Sequence, residues 1–152
     1  MNLNHVGISV ADLDRSLRFY CEMLDMKVLY RAEFGGDPYE EVMAIPHVRG
    51  NMCVLKNGTI QLELFQFDQP GPSGKNPDEP ISSHGISHFG VEVEDLDAAY
   101  QRLAAAGVKL QSRVREFQGG TRAVYARDPD GNVFELVQRR LSLRSNAHAP
   151  DI

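Results

Sequence analysis

The chain has 152 residues and a formal net charge of −5, and most of its Lys and Arg residues are scattered along the sequence. This acidic balance argues against nucleic acid as a partner, and no apolar run approaches the roughly 20 residues that a membrane-spanning helix needs. Because the stretch after Met1 lacks the basic and apolar regions of a signal peptide, we expect a cytoplasmic protein. Cys21 and Cys53 lack metal-site spacing, and we expect both to be buried, reduced thiols.

The first half of the chain is predicted to form one helix and four strands. In order, these are a strand at 3–10, a helix at 12–24 and strands at 26–32, 51–55 and 59–67. Apolar residues at helical spacing indicate the helix, and Asn57-Gly58 is a strong hairpin signal between the last two strands. The stretch at 33–50 is long for a loop, and loops of that length commonly cover functional sites.

The second half of the chain repeats the same order of elements. These are a strand at 86–93, a helix at 95–106 and strands at 108–115, 121–127 and 132–138. Gly107 supplies the C-terminal cap of the helix, and Asp128-Pro129-Asp130-Gly131 has the residue chemistry of a tight turn.

Composition also predicts how these halves are joined. Prolines and glycines predict a linker at 69–84, and polar residues without periodicity predict a flexible tail at 141–152. We therefore expect a single domain at 1–140, in which module one covers 1–68 and module two covers 85–140.

Two short sequence patterns recur in both halves. The segment that begins at His5 reads His-x-Gly-Ile-x-Val-x-Asp-Leu-Asp, and the segment that begins at His88 reads His-x-Gly-Val-x-Val-x-Asp-Leu-Asp. The strand that ends each half carries a carboxylate between apolar neighbours, Glu63 in one half and Glu135 in the other. An unpaired carboxylate is costly to bury in such surroundings. Two imidazoles and two carboxylates at equivalent positions are therefore candidate ligands of a divalent metal ion.

With these patterns the chain resembles the vicinal oxygen chelate superfamily over roughly residues 3–138. That superfamily includes glyoxalase I, methylmalonyl-CoA epimerase, extradiol dioxygenases, fosfomycin-modifying enzymes and bleomycin-binding proteins. The resemblance implies an α+β fold, in which two tandem βαβββ modules form an open, barrel-like mixed sheet with helices outside. It also implies a metal ligand on the first and last strand of each module. Those ligands are His5, Glu63, His88 and Glu135.

The resemblance implies a metal-dependent isomerase or lyase of the glyoxalase or epimerase type. One divalent ion per site (nickel, cobalt, zinc, manganese or iron) would hold two adjacent oxygens of a small hydroxy-carbonyl substrate. Glu63 or Glu135 would then act as general base in a proton transfer through an enediolate. Family members are typically homodimers, with the site either within one chain or between two.

Two other functions stay open. An extradiol-type, ring-cleaving dioxygenase would use Fe(II), although a fourth ligand at Glu63 would occupy a position that oxygen needs. A non-catalytic, resistance-type protein would bind a small molecule without turning it over.

The positions that grip glutathione in glyoxalase I differ in this chain. They are typically Arg, four residues after the first ligand, and Asn, four residues after the second, whereas here they are Ser9 and Phe67. These differences argue against a glutathione thioester as substrate. The candidate substrate-binding residues lie on the strand face of Glu63, before the second His segment, or just after Gly119-Gly120. They are Gln61, Phe65, Phe67, His84 and Arg122.

Overall fold

A computed structural model describes residues 3–72, 74 and 76–139, and within it the chain divides between Asn76 and Pro77 into two compact units. The first unit contains β1 (Val6–Ser9), α1 (Leu13–Met23), β2 (Lys27–Gly35), α2 (Asp37–Met43), β3 (Arg49–Asn57) and β4 (Ile60–Gln69). The second unit contains β5 (Phe89–Glu92), α3 (Leu96–Ala105), β6 (Lys109–Leu110), β7 (Arg115–Glu116), β8 (Arg122–Arg127) and β9 (Val133–Gln138). The predicted tail lies outside the described residues. No helix in the described ranges is long and apolar enough to cross a membrane.

The first unit is built on a four-stranded sheet with the order β1-β4-β3-β2. The sheet is mixed, because β1 runs parallel to β4 whereas the other neighbours are antiparallel. Leu62 and Leu64 of β4 are fully buried in the core, and α1 packs on β3 and β4. Since side chains alternate between the faces of a strand, Glu63 and Phe65 point to the other face of the sheet.

The second unit has the same plan with five strands. Their order is β5-β9-β8-β6, and β7 also pairs with β8. The edge strand β5 is parallel to β9, and β9 is antiparallel to β8. The α+β class and the open, mixed sheets are therefore confirmed. The strand predicted at 108–115 is broken, because only its two ends, β6 and β7, pair with β8.

The recurring Asp-Leu-Asp segments start the two long helices. Asp12 accepts a hydrogen bond from the backbone N–H of Arg15, and Asp95 accepts one from that of Ala98, so both act as N-caps. The leucines that follow, Leu13 and Leu96, are buried. The last Asp of each segment lies in the first helical turn and pairs with an arginine of the sheet. These pairs are Arg31–Asp14 at 2.6 Å and Arg122–Asp97 at 2.8 Å. The Asp-Leu-Asp part of each repeated motif is thus explained by its role in starting a helix.

The stretch predicted as a long loop at 33–50 is mostly regular structure. Strand β2 continues to Gly35, α2 follows at Asp37–Met43, and β3 begins at Arg49. Pro38 occupies the first turn of α2, where its missing N–H is not needed, and Gly36 at the N-cap has a φ of 82°. The segment therefore packs a short helix on the sheet rather than a loop.

The Asp128–Asn132 turn is held by its own side chains. One carboxylate oxygen of Asp128 accepts hydrogen bonds from the backbone N–H groups of Asp130, at 2.9 Å, and Asn132, at 2.7 Å. The buried guanidinium of Arg127 donates to the carbonyl oxygens of Gly131 and Glu79. The stretch around Glu79, in the predicted linker, is therefore fastened to the second unit.

The two thiols differ in burial. Cys53 is fully buried, as predicted, whereas Cys21 is only half-buried, and both are free. Burial raises the pKa of each thiol above its ordinary value. Both cysteines are therefore poorly reactive groups in the first unit.

Candidate functional site

The first His–Glu pair lies where β1 meets β4. His5 directly precedes β1, and Gly7 of β1 faces Glu63 in the parallel register. The Nε2 atom of His5 is 3.2 Å from Oε2 of Glu63, and the exposed fractions of the two side chains are 46% and 16%. The pair is thus formed within the unit and is accessible from solvent on the imidazole side.

The second unit repeats this arrangement between β5 and β9. Gly90 faces Glu135 in the register, and Nε2 of His88 is 3.8 Å from Oε2 of Glu135. A Cβ atom at Gly90 would lie 3.6 Å from the same carboxylate oxygen, which is ordinary contact distance. A Cβ atom at Gly7 would instead lie 3.8 Å from the Phe65 ring, so the glycine that faces the carboxylate has different neighbours in the two units.

Both imidazoles are oriented by the residue that precedes them. Nδ1 of His5 is 2.8 Å from the side-chain oxygen of Asn4, and Nδ1 of His88 is 2.9 Å from the hydroxyl oxygen of Ser87. Nδ1 of His5 can donate a hydrogen bond to the Asn4 amide oxygen, and Nε2 then faces the Glu63 carboxylate.

The donor atoms fit a divalent metal ion. Imidazole nitrogen and carboxylate oxygen bind such ions at about 2.0–2.2 Å, so two neighbouring ligands lie roughly 3.0–3.5 Å apart. The separations of 3.2 Å and 3.8 Å are close to that range. Histidines that ligate metals usually donate their other N–H to a polar partner, as Asn4 and Ser87 permit here. Within the described part of the chain, no group of three or more His, Cys, Asp or Glu side chains is placed to hold an ion. Each unit therefore brings together two of the four candidate ligands.

Tyr125 lies beside the His88–Glu135 pair and was not predicted from the sequence. It faces Glu135 across the β8–β9 pairing, and its ring meets the His88 ring edge-on, with 4.9 Å between the centroids. Burial, and then the Glu135 carboxylate, raise the pKa of the Tyr125 phenol. The hydroxyl therefore stays protonated at neutral pH and can donate a hydrogen bond. In the first unit the corresponding position opposite Glu63 is Val54.

Three of the predicted substrate-binding residues lie together on β4. Gln61, Phe65 and Phe67 are half-buried and share the strand face of Glu63. The rings of Phe65 and Phe67 stack, with 5.9 Å between centroids and 24° between planes. The prediction that they contact substrate stays a prediction.

The other two predicted residues lie elsewhere in the second unit. His84 is exposed in the segment before β5. The Arg122 guanidinium donates two hydrogen bonds to Asp97, at 2.8 Å and 3.0 Å, and a third to Gln138, at 3.1 Å. The bond with Asp97 raises the pKa of Arg122 and lowers that of Asp97. Arg122 thus ties α3 to the sheet, and its predicted contact with substrate stays a prediction.

Comparisons with known proteins identify the family of this chain. A family model described as the Glyoxalase/Bleomycin resistance protein/Dioxygenase superfamily matches residues 2–136. A probable lactoylglutathione lyase from Synechocystis sp. is 27% identical over 139 residues, which cover 91% of this chain and 95% of that protein. A 2-epi-5-epi-valiolone epimerase from Actinomyces sp is 27% identical over 144 residues, which cover 89% of this chain and 78% of that protein.

Further comparisons give the share of longer relatives that this chain spans and its likeness to a solved structure. The chain spans 35% to 43% of the length of the plant lactoylglutathione lyases that it matches. Among solved structures, a glyoxalase family protein from Bacillus cereus superposes with a TM-score of 0.83 at 23% sequence identity. The superposition covers 91% of this chain and 93% of that one, and at this identity it supports the fold alone.

Proposed function

Because the chain belongs to the Glyoxalase/Bleomycin resistance protein/Dioxygenase superfamily, we propose that it is a divalent-metal-dependent isomerase or lyase for a small substrate with two adjacent oxygens. The observation that carries the proposal is the pair of matched His–Glu contacts, each with its imidazole oriented in the same way. The Synechocystis relative is named a probable lyase and the Actinomyces relative an epimerase, which supports this class of reaction.

The proposed ligands of one ion are His5, Glu63, His88 and Glu135. Nitrogen and oxygen donors without a thiolate suit nickel, cobalt, zinc, manganese or iron. The two pairs would be completed either within one chain or between the two chains of a homodimer. In both cases four protein ligands leave room for two neighbouring oxygens of a substrate or for water.

The chemistry follows from what the side chains can do. When bound, the ion would polarise the substrate carbonyl and stabilise developing negative charge. Glu63 or Glu135 would take the proton from the carbon beside that carbonyl, and would return it to the opposite face or to the neighbouring carbon. Gly7 and Gly90, which face the two carboxylates in the strand register, place no side chain against them. The Tyr125 hydroxyl would donate a hydrogen bond to a substrate oxygen.

Metal analysis tests the proposal. Elemental mass spectrometry on protein purified without an affinity tag would compare the wild type with His5→Ala and Glu135→Gln. We expect about one ion per chain in the wild type, and at least a tenfold loss of metal affinity in each variant, because each loses one ligand. His47→Ala and Glu22→Gln remove an exposed His and an exposed Glu outside the pairs, and should bind metal like the wild type.

Three results would contradict the proposal. Full metal binding in both ligand variants would show that the ion, if present, lies elsewhere. Stoichiometric iron with oxygen uptake on catechols would favour the ring-cleaving dioxygenase. Failure to bind any of the five metals, even after reconstitution, would favour a metal-free binding protein.

A further inference from the structure

Aromatic rings continue the sheet face that carries Glu63. Phe65 follows Glu63 by two residues on β4, and Phe67 follows by four, so all three share one face. Phe34 of β2 meets both rings edge-on, at centroid distances of 5.5 Å and 5.4 Å. We call Phe34, Phe65 and Phe67 the aromatic wall.

The aromatic wall is packed against other residues of the first unit. Gly50 lies opposite Phe67, and a Cβ atom there would come within 2.9 Å of the Phe34 ring, so the absent side chain makes space for that ring. Tyr39 and Met43 of α2 pack on the same cluster, with the Tyr39 ring 5.5 Å from Phe34. Phe34 is buried as a result.

Phe65 is the ring of the aromatic wall that lies beside the His5–Glu63 pair. Phe65 is only half-buried, and its Cε2 atom would be 3.8 Å from a Cβ atom at Gly7. Gly7 itself faces Glu63. The Phe65 ring therefore lies beside the strand residue that faces Glu63, and α2 packs at the Phe34 end of the wall.

The second unit has no counterpart of the aromatic wall at the equivalent strand positions. Counting from Glu135 instead of Glu63, the residues that match Phe65 and Phe67 are Val137 and Arg139. The His–Glu pair recurs in both units, so the pair alone does not require stacked rings at these positions. Among the described residues, α2, on which the rings pack, belongs to the first unit only.

We propose that the aromatic wall binds a planar, apolar group of the substrate, such as an aryl ring, attached close to the two oxygens. The inference rests on the proposed function, since the oxygens are taken to lie at the His5–Glu63 pair. Two strand residues span about 7 Å, so a ring joined to the oxygens through one or two bonds reaches Phe65. The wall offers no charge or amide to a polar peptide, whereas edge-on and stacked contacts favour another ring.

Two chelating probes test the inference. Acetohydroxamate and benzohydroxamate both present two adjacent oxygens to a metal ion, but only the second carries a phenyl ring. Calorimetric titration of the metal-loaded protein would give the ratio of their dissociation constants, corrected for their affinity for the free ion. We expect benzohydroxamate to bind at least roughly tenfold more tightly, given the apolar area that a phenyl ring buries.

Substitutions of Phe65 test whether this ring causes the tighter binding of benzohydroxamate. Phe65→Ala should reduce the ratio to about threefold or less while acetohydroxamate affinity stays unchanged, and Phe65→Leu serves if the alanine variant does not fold. Phe19→Ala is the matched control, because it removes a half-buried ring from α1, on the opposite side of the sheet. It should leave the ratio at the wild-type value.

The outcomes separate the two proposals. If neither probe binds, the proposed function fails and the inference fails with it. If both probes bind equally well to the wild type, the aromatic wall is not a substrate surface, and the proposed function stands. An unchanged ratio in both Phe65 variants overturns the inference in the same way.

Discussion

Replacing Gly50 with alanine tests how tightly the aromatic wall is packed. An ideal Cβ atom at this position lies 2.1 Å from the backbone oxygen of Gln66 and 2.9 Å from two atoms of the Phe34 ring. The first neighbour is backbone in the paired strand β4, so it moves only if the β3–β4 pairing opens locally. The second is a ring already in contact with Phe65 and Phe67.

The magnitude follows from these contacts. Overpacking a filled core costs about 1–3 kcal/mol, and a clash with backbone belongs at the upper end, so we expect the free energy of unfolding to fall by about 3 kcal/mol. For a chain of this size, each kcal/mol lowers the melting temperature by roughly 2–4 °C. The variant should therefore melt about 6–12 °C below the wild type.

Thermal and denaturant unfolding, followed by circular dichroism, measure this loss. Gly71→Ala is the control, since nothing lies within 4 Å of its Cβ position and its φ is not positive, and it should change stability little. Gly58→Ala also meets nothing within 4 Å but has a φ of +58°, so it should cost about 1 kcal/mol from backbone strain alone. If Gly50→Ala melts within about 3 °C of Gly71→Ala, the packing argument for the wall is refuted.

Three further predictions concern the second unit. Gly131→Ala should lower the free energy of unfolding by about 3 kcal/mol in urea unfolding, because its Cβ would lie 2.4 Å from Pro77 and its φ is +82°. Gly107→Ala is the control: it has a φ of +72° and no close neighbour, so it should lower the free energy of unfolding by about 1 kcal/mol. The hydrogen bond from Arg122 lowers the pKa of Asp97, so this pair stabilises the fold above the ordinary carboxyl pKa and the contribution is lost as pH falls. The stability difference between wild type and Asp97→Asn should shrink between about pH 5 and pH 2, and a constant difference would contradict the assignment. Tyr125→Phe keeps the ring contact with His88 but removes the donor, so metal content should be unchanged while acetohydroxamate affinity falls about tenfold; equal affinity would rule out the hydrogen bond.

The two His–Glu pairs could be predicted from the sequence because the same order of His, strand and Glu occurs in both halves of the chain. Each His precedes the first strand of its module and each Glu lies in the middle of the last, and the alternation of side chains fixes their faces. Parallel pairing of the first and last strands then brings His5 to Glu63 and His88 to Glu135. A single histidine would have carried no such information, and the joint metal role of the four residues stays a prediction.

The features that sequence reasoning missed depend on short or non-local structure. Helix α2 has seven residues and no side-chain cap, so its periodicity covers only two turns. Tyr125 reaches Glu135 only through the β8–β9 register, which the alternation of side chains alone does not specify. Asn4 and Ser87 did leave a signal, since a polar residue precedes the His in both copies.

The two halves of the chain are alike at some positions of the proposed site and differ at others. The His and the Glu, which are alike in both copies, are the residues that the proposed ion would require as ligands. The positions beside them have diverged. The first unit has Val54 and Phe65 where the second has Tyr125 and Val137, so the first pair has apolar and aromatic neighbours while the second has a hydroxyl group beside it. Symmetric surroundings would accept a substrate in two orientations with equal energy. Unequal surroundings favour one orientation, and a base that must take one particular proton needs that preference.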